Sequence, residues 1–87
     1  MKRPTRYLAD FTEAEFVAWV NRIKTADFPT ERQHDEAIYQ FSLLTEHPDG
    51  HDLIYHPEPG ADKSAQGITN TVKAWRAANG KPDFKPA

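Results

Sequence analysis

Residues 45–60 read "TEHPDGHDLIYHPEPG", a stretch that holds three histidines, four acids, three prolines and one tyrosine. His47, His51 and His56, with Asp52, are the donor types that bind zinc or a similar cation. The histidines stand four and five residues apart in a segment broken by Pro48, Pro57 and Pro59. The five-residue gap from His51 to His56, in a segment bounded by prolines, is not that of a helical ligand pair, and the only other histidine is His34. Nucleophilic catalysis needs a serine or cysteine beside a positioned base. The chain has no cysteine, and neither Ser42 nor Ser64 lies in a recognisable nucleophile turn. Asp49 and Asp52 are close enough in sequence for paired acid–base work, but nothing around them suggests desolvation. Without a glycine-rich phosphate loop either, the residues point away from catalysis, and neither a metal nor another cofactor is expected.

Charge is more informative than any single group. The formal net charge of −2 conceals a strong division along the chain. Residues 1–30 carry a balance of +1 and residues 63–87 of +4. Residues 31–62 carry Glu31, Asp35, Glu36, Glu46, Asp49, Asp52, Glu58 and Asp62 against Arg32 alone, a balance of −7. Such a field repels nucleic acid and attracts a basic protein; a solvated face is the plainer reading of the same charges. The cations Lys63, Lys73, Arg76, Lys81 and Lys85 gather near the C-terminus, where they read as a solvated surface balancing a helix dipole. Direct nucleic-acid binding is not expected.

These residues need elements to position them, and the punctuation marks four. Thr12 with Glu15 has capping-box spacing, and Phe16, Val20 and Ile23 then recur with helical period, widened by Val17 and Trp19. This predicts a first helix over about residues 12–25. Pro29 precedes a second cap, Thr30 with Gln33, and a second helix running to about residue 45. Its inward stripe is Ala37, Phe41 and Leu44. A neighbouring face holds His34, Ile38 and Ser42 at intervals of four, flanked by Asp35 and Tyr39. A last helix starts near Ser64, carries Ala65, Ile68, Val72 and Trp75 inward, and ends at Asn79-Gly80, with Pro82 preventing continuation. Phe84 in the tail is placed to fold back onto the domain. Between the second and last helices, "HDLIYH" allows about one and a half helical turns, too few to be stable alone. Leu53 and Ile54 are its natural anchors, which leaves Asp52, Tyr55 and His56 near the surface. The expectation is a single all-α domain over residues 1–87.

No apolar run is long enough to cross a bilayer, and the basic "MKRPTRYLADF" lacks the apolar segment of a signal peptide. With no cysteine, a reducing cytoplasm is the expected location. The remaining reading is a protein-binding surface around Tyr55, an aromatic beside a carboxylate and a half-apolar, half-acidic helix face. By periodicity alone, Tyr55 reads equally well as a cap over the core.

Three segments, "FTEAEFVAWV", "LTEHPDGHDLIYHP" and "GITNTVKAWRAANGKPDFK", together resemble the immunity proteins of DNase-type bacteriocins, the nuclease colicins and S-type pyocins. The resemblance runs from about Asp10 to Lys85, in order and without large gaps. It implies a distorted antiparallel four-helix bundle with a very short third helix. It also implies an inhibitor that binds the cytotoxic nuclease domain of its cognate toxin one to one, beside the metal-containing nuclease centre, and so protects the producing cell. DNA would then be excluded by bulk and by the acidic surface. Carried over by position, the resemblance makes the third helix an anchor through Asp52 and Tyr55, with His56 where the family commonly has a second tyrosine. It makes the second helix the element of partner discrimination, through Glu31, His34, Asp35, Ile38, Tyr39 and Ser42. A small acidic adaptor for an unrelated basic protein is the rival reading.

Overall fold

A computed structural model describes residues 7–86. These form a 3-10 turn, Leu8–Asp10, and four helices: α1 Glu13–Lys24, α2 Glu31–Thr45, α3 Asp52–Tyr55 and α4 Ala65–Ala78. No strand occurs among the described residues. Residues 1–6, which bear on the signal-peptide reading, lie outside them, as does Ala87.

The helices begin where their caps require. The Thr12 hydroxyl accepts the Glu15 N–H at 3.1 Å, and the Glu15 carboxylate accepts the Thr12 N–H at 2.8 Å. Thr30 accepts the Gln33 N–H at 3.1 Å, and Ser64 accepts the Gly67 N–H at 3.0 Å. Each bond satisfies an amide that an uncapped helix start would leave without a partner.

The expected inward stripes meet, except at the ends of the last one: Ala65 is only half-buried, and Trp75 is half-buried outside the core, against His47 and Lys81. Phe16, Val20 and Ile23 of α1, Ala37, Phe41 and Leu44 of α2, and Ile68 and Val72 of α4 are all buried. Phe16 sits at the centre, with ring centroids 6.0 Å from Phe41 and 5.2 Å from Phe84. The tail therefore does fold back, and the Lys85 N–H donates to the Phe11 carbonyl at 2.9 Å. Leu8 and Phe11 of the N-terminal turn are buried as well, closing a side of the core that helical periodicity did not reveal. Leu53 and Ile54 pack half-buried against the same cluster.

Arg76 departs from the reading of the C-terminal cations as a solvated surface. It is only 5% exposed. Its guanidinium donates to the carbonyls of Leu44 and Thr45 at 3.4 and 3.3 Å and to the Glu46 carboxylate at 3.1 Å, and its Nε and Nη2 reach the Pro82 carbonyl at 3.2 and 3.0 Å. The last carbonyls of α2 lack helical partners, and a fixed cation there both bonds them and offsets the negative end of the helix dipole. Charge counting could not separate this arginine from its neighbours, because its partners at the end of α2 lie thirty or more residues away. Lys81 adds a second contact to Glu46 at 3.2 Å, and Lys73 joins Glu13 across α4 and α1 at 2.7 Å.

Burial pushes the Glu46 carboxyl upward, but its hydrogen bonds from Arg76 and Lys81 outweigh that and hold it below the ordinary 4.5. A carboxyl that titrates lower folded than unfolded stabilises the fold above its ordinary value, and that contribution is lost as pH falls through the folded value. Glu46→Gln should therefore flatten the loss of stability on acidification from neutral pH, measured by urea midpoints across the range; an acid limb as steep as the parent's would remove Glu46 as its source. Arg76→Met should lower the unfolding free energy by about 3 kcal/mol, because three carbonyls and a carboxylate lose their donor. A loss below about 1 kcal/mol in urea denaturation would mean that water replaces those bonds.

Candidate functional site

Helix α3 has only four residues. Leu53 and Ile54 turn toward the core, and Asp52, Tyr55 and His56 are left exposed, as expected. The chain reaches α3 through Glu46, which caps α2 in the left-handed conformation at φ 59°, and then through a tight turn. The His47 carbonyl accepts the Gly50 N–H at 3.0 Å, and the Asp49 carbonyl accepts the Asp52 N–H at 3.0 Å. Gly50 is left-handed at φ 50°, and a β-carbon there would lie 2.8 Å from the Ser42 hydroxyl oxygen. Both conditions call for glycine.

The face of α2 beside α3 is the one that spacing picked out. His34, Ile38 and Ser42 are half-buried, and Glu31, Asp35 and Tyr39 are exposed. The His34 Nε2 lies 2.9 Å from the Ile23 carbonyl oxygen and 3.4 Å from the Tyr55 hydroxyl. A carbonyl only accepts, so Nε2 carries the proton and donates; the tyrosine oxygen can then only share that donor. The Tyr55 proton is left to point outward. Burial, and then the negative charge of Asp35, push the Tyr55 hydroxyl above its ordinary 10.0, so it is a neutral donor at physiological pH.

Asp35, Ile38, Tyr39, Ser42 and His51 line one shallow depression beside this tyrosine. Tyr39 and Tyr55, each 41% exposed, are two of the three large hydrophobic residues exposed among those described. An apolar floor, two tyrosine rings and carboxylates at the margin suit a protein surface with cationic groups. Glu31 stands at the start of α2, and His56 caps the C-terminal end of α3 with its N–H on the Asp52 carbonyl at 2.8 Å.

The other histidines are dispersed. The His47 ring lies 5.0 Å from that of Trp75, and its Nδ1 accepts the Asp49 N–H at 3.0 Å. No group of three or more histidine, cysteine or carboxylate side chains suited to a metal occurs among the described residues. His51 was weighed in the sequence only as a metal ligand, yet it belongs to the face: its ring meets Tyr55 edge-on at 6.4 Å. The i, i+4 spacing of His51 and Tyr55 was the available signal.

The sequence profile described as colicin immunity protein / pyocin immunity protein matches residues 8–78. The chain belongs to the colicin/pyocin immunity protein family. It is 43% identical over 81 residues to the pyocin-S1 immunity protein of Pseudomonas aeruginosa, covering 90% of this chain and 93% of that protein. Its likeness to the pyocin-S2 immunity protein of the same species has the same values: 43% over 81 residues, 90% and 93%. Among solved structures, it superposes on a chain of the pyocin AP41 DNase–immunity complex with a TM-score of 0.81 at 34% identity, covering 93% of this chain and 98% of the other. On a chain of the mutant nuclease domain of pyocin S8 with its cognate immunity protein, the TM-score is 0.85 at 35% identity, covering 94% and 100%. The colicin/pyocin immunity fold is thus the small helical bundle with a minimal third helix described above.

In this immunity-family chain, the turn before α3 should tolerate no side chain at residue 50. Gly50→Ala should lower stability by about 2 kcal/mol through left-handed strain and the clash with Ser42. A urea midpoint unchanged from the parent's would show that the turn relaxes without effort.

Proposed function

We propose that this protein is an inhibitor, not an enzyme, that binds the DNase domain of a cognate colicin- or pyocin-type toxin one to one. The observation that carries the reading is the presentation of Tyr55 by a four-residue helix whose Leu53 and Ile54 are spent on the core. Family membership supports it, as do the two similar structures, each of an immunity protein with a pyocin nuclease domain. The whole of residues 1–87 acts as one immunity domain, without a cofactor. No helix among the described residues is long and apolar enough to cross a membrane, and the cytoplasm of the producing cell is the location this function requires.

Recognition is divided between the two elements. Asp52, Tyr55 and His56 of the α3 segment form the anchor, with Tyr55 contributing a broad ring and an outward hydroxyl proton at small entropic cost. Glu31, His34, Asp35, Ile38, Tyr39 and Ser42 of α2 discriminate among nucleases, since each mismatched apolar or charged contact penalises a wrong partner. The toxin domain is gripped beside its catalytic centre, and DNA is excluded by bulk and by the acidic field of residues 31–62. No group of the inhibitor needs to enter the nuclease centre.

Tyr55→Ala should weaken inhibition of the cognate DNase domain by at least about 2 kcal/mol without unfolding the protein. Titration of a DNA-cleavage assay reads this directly; a folded mutant that inhibits like the parent would remove α3 as the anchor. Substitutions at His34, Asp35 or Ile38 should redistribute inhibition across a panel of bacteriocin DNase domains, whereas equal losses against every member would contradict their role in discrimination. Association should slow steeply as salt rises, because the acidic surface steers a basic partner. Tight binding that leaves cleavage intact would instead identify an acidic adaptor.

A further inference from the structure

Leu53 and Ile54 fix how deeply α3 sits, but apolar contact is non-directional and does not set the rotation of so short a helix. Directional bonds lie at its start. The Ser42 hydroxyl, in the C-terminal half of α2, accepts the backbone N–H of His51 at 3.0 Å and lies 3.3 Å from the ring Nδ1 of the same residue. Having accepted from an amide, the hydroxyl has one proton left to donate, and Nδ1 is the acceptor in reach. In that arrangement the neutral His51 ring carries its own proton on Nε2, which lies 3.9 Å from Asp52 Oδ1, a carboxylate oxygen that favours a donor there. The His51 carbonyl in turn accepts the N–H groups of Ile54 and Tyr55 at 2.9 and 3.2 Å, so the placement of His51 sets the first turn of α3. Gly50 leaves room for this approach, with the position of its missing β-carbon 2.8 Å from Ser42 Oγ and 3.2 Å from Ser42 Cβ. The far end of the same tyrosine rests by its hydroxyl on His34, about two turns of α2 away on the same face.

We infer that Ser42 and His51 form a latch that couples the discriminating helix to the anchor helix. Ser42, grouped above with the discriminating residues by its place on α2, is on this inference a positioning residue instead, acting on the partner through His51 and the orientation of Tyr55 and not by its own contact. The role of Tyr55 in binding is taken from the proposed function above; the latch is a property of the free protein. A change at Ser42 consequently reaches the anchor, and its effect is general across partners.

Two measurements test this. In the free protein labelled with 15N-histidine, at a pH where the ring is neutral, His51 should show the Nε2–H tautomer. Ser42→Ala should convert it to a mixture. An Nδ1–H tautomer, or a spectrum indifferent to Ser42→Ala, would overturn the latch whatever the protein binds. Against DNase domains that the parent inhibits, Ser42→Ala should weaken binding about tenfold for each partner and cause no further loss in a Tyr55→Ala background, the non-additivity expected of coupled residues. His51→Asn, which keeps an acceptor near the Nδ1 position, should stay closer to the parent than His51→Leu. Equal loss in both backgrounds, or a loss confined to one nuclease, would make Ser42 a direct contact and overturn the positioning role. If Tyr55→Ala itself has no effect, the binding-face reading fails and the positioning role falls with it, while the tautomer still decides whether the hydrogen bond exists.

Discussion

A buried guanidinium governs how the chain leaves α2. Arg76 of α4 holds the Leu44 and Thr45 carbonyls and the Glu46 carboxylate, and on its other side the Pro82 carbonyl. Glu46 occupies a left-handed conformation that a non-glycine residue adopts only when its surroundings over-determine it. The ion pair supplies that determination, aided by Lys81. The reversal at Glu46 starts the turn from His47 to Gly50, and that turn sends α3 back alongside α2. Without it, Tyr55 and the His34–Ser42 face would not be neighbours. Arg76, buried against the end of α2, thus helps to set whether α3 lies beside the His34–Ser42 face.

The economy of α3 follows from the same geometry. Its four residues provide too few hydrogen bonds to stabilise a helix on their own. Two of the four are committed to the core, and the others, Asp52 and Tyr55, are free to be recognised. The acidic character of the surface coexists with stability because Glu46, itself exposed, is paired with the buried Arg76 and with Lys81, whereas carboxylates such as Asp35 and Asp52 stand exposed at the face. Repulsion among exposed carboxylates is modest in water and is relieved when a basic partner arrives.

Local features of the fold were legible in the sequence. The Thr12–Glu15 spacing predicted a capping box that forms with both bonds made, and the Phe16–Val20–Ile23 and Ala37–Phe41–Leu44 stripes are the buried ones. The second face of α2 was also visible, since residues spaced by four on a helix must share a side. Long-range pairings were not. Arg76 looked like its neighbouring lysines because nothing within its own helix distinguishes a guanidinium aimed at another helix's carbonyls. Ser42 read as a surface contact, although its hydroxyl is occupied by a backbone amide nine residues later. Leu8 and Phe11 lie in too short a turn for periodicity to show. In each case the deciding contact is tertiary and leaves no repeat in the sequence.

Mapping the contact on the protein would decide whether α2 and α3 bind the toxin. The 15N-labelled protein would be mixed with a bacteriocin DNase domain that it inhibits, and amide shifts and hydrogen exchange compared with the free state. Changes should be concentrated on the exposed face of residues 31–42 and on residues 51–56, with the outer surfaces of α1 and α4 left as they were. Changes centred on α4 and the tail, with α2 and α3 undisturbed, would contradict that placement of the contact.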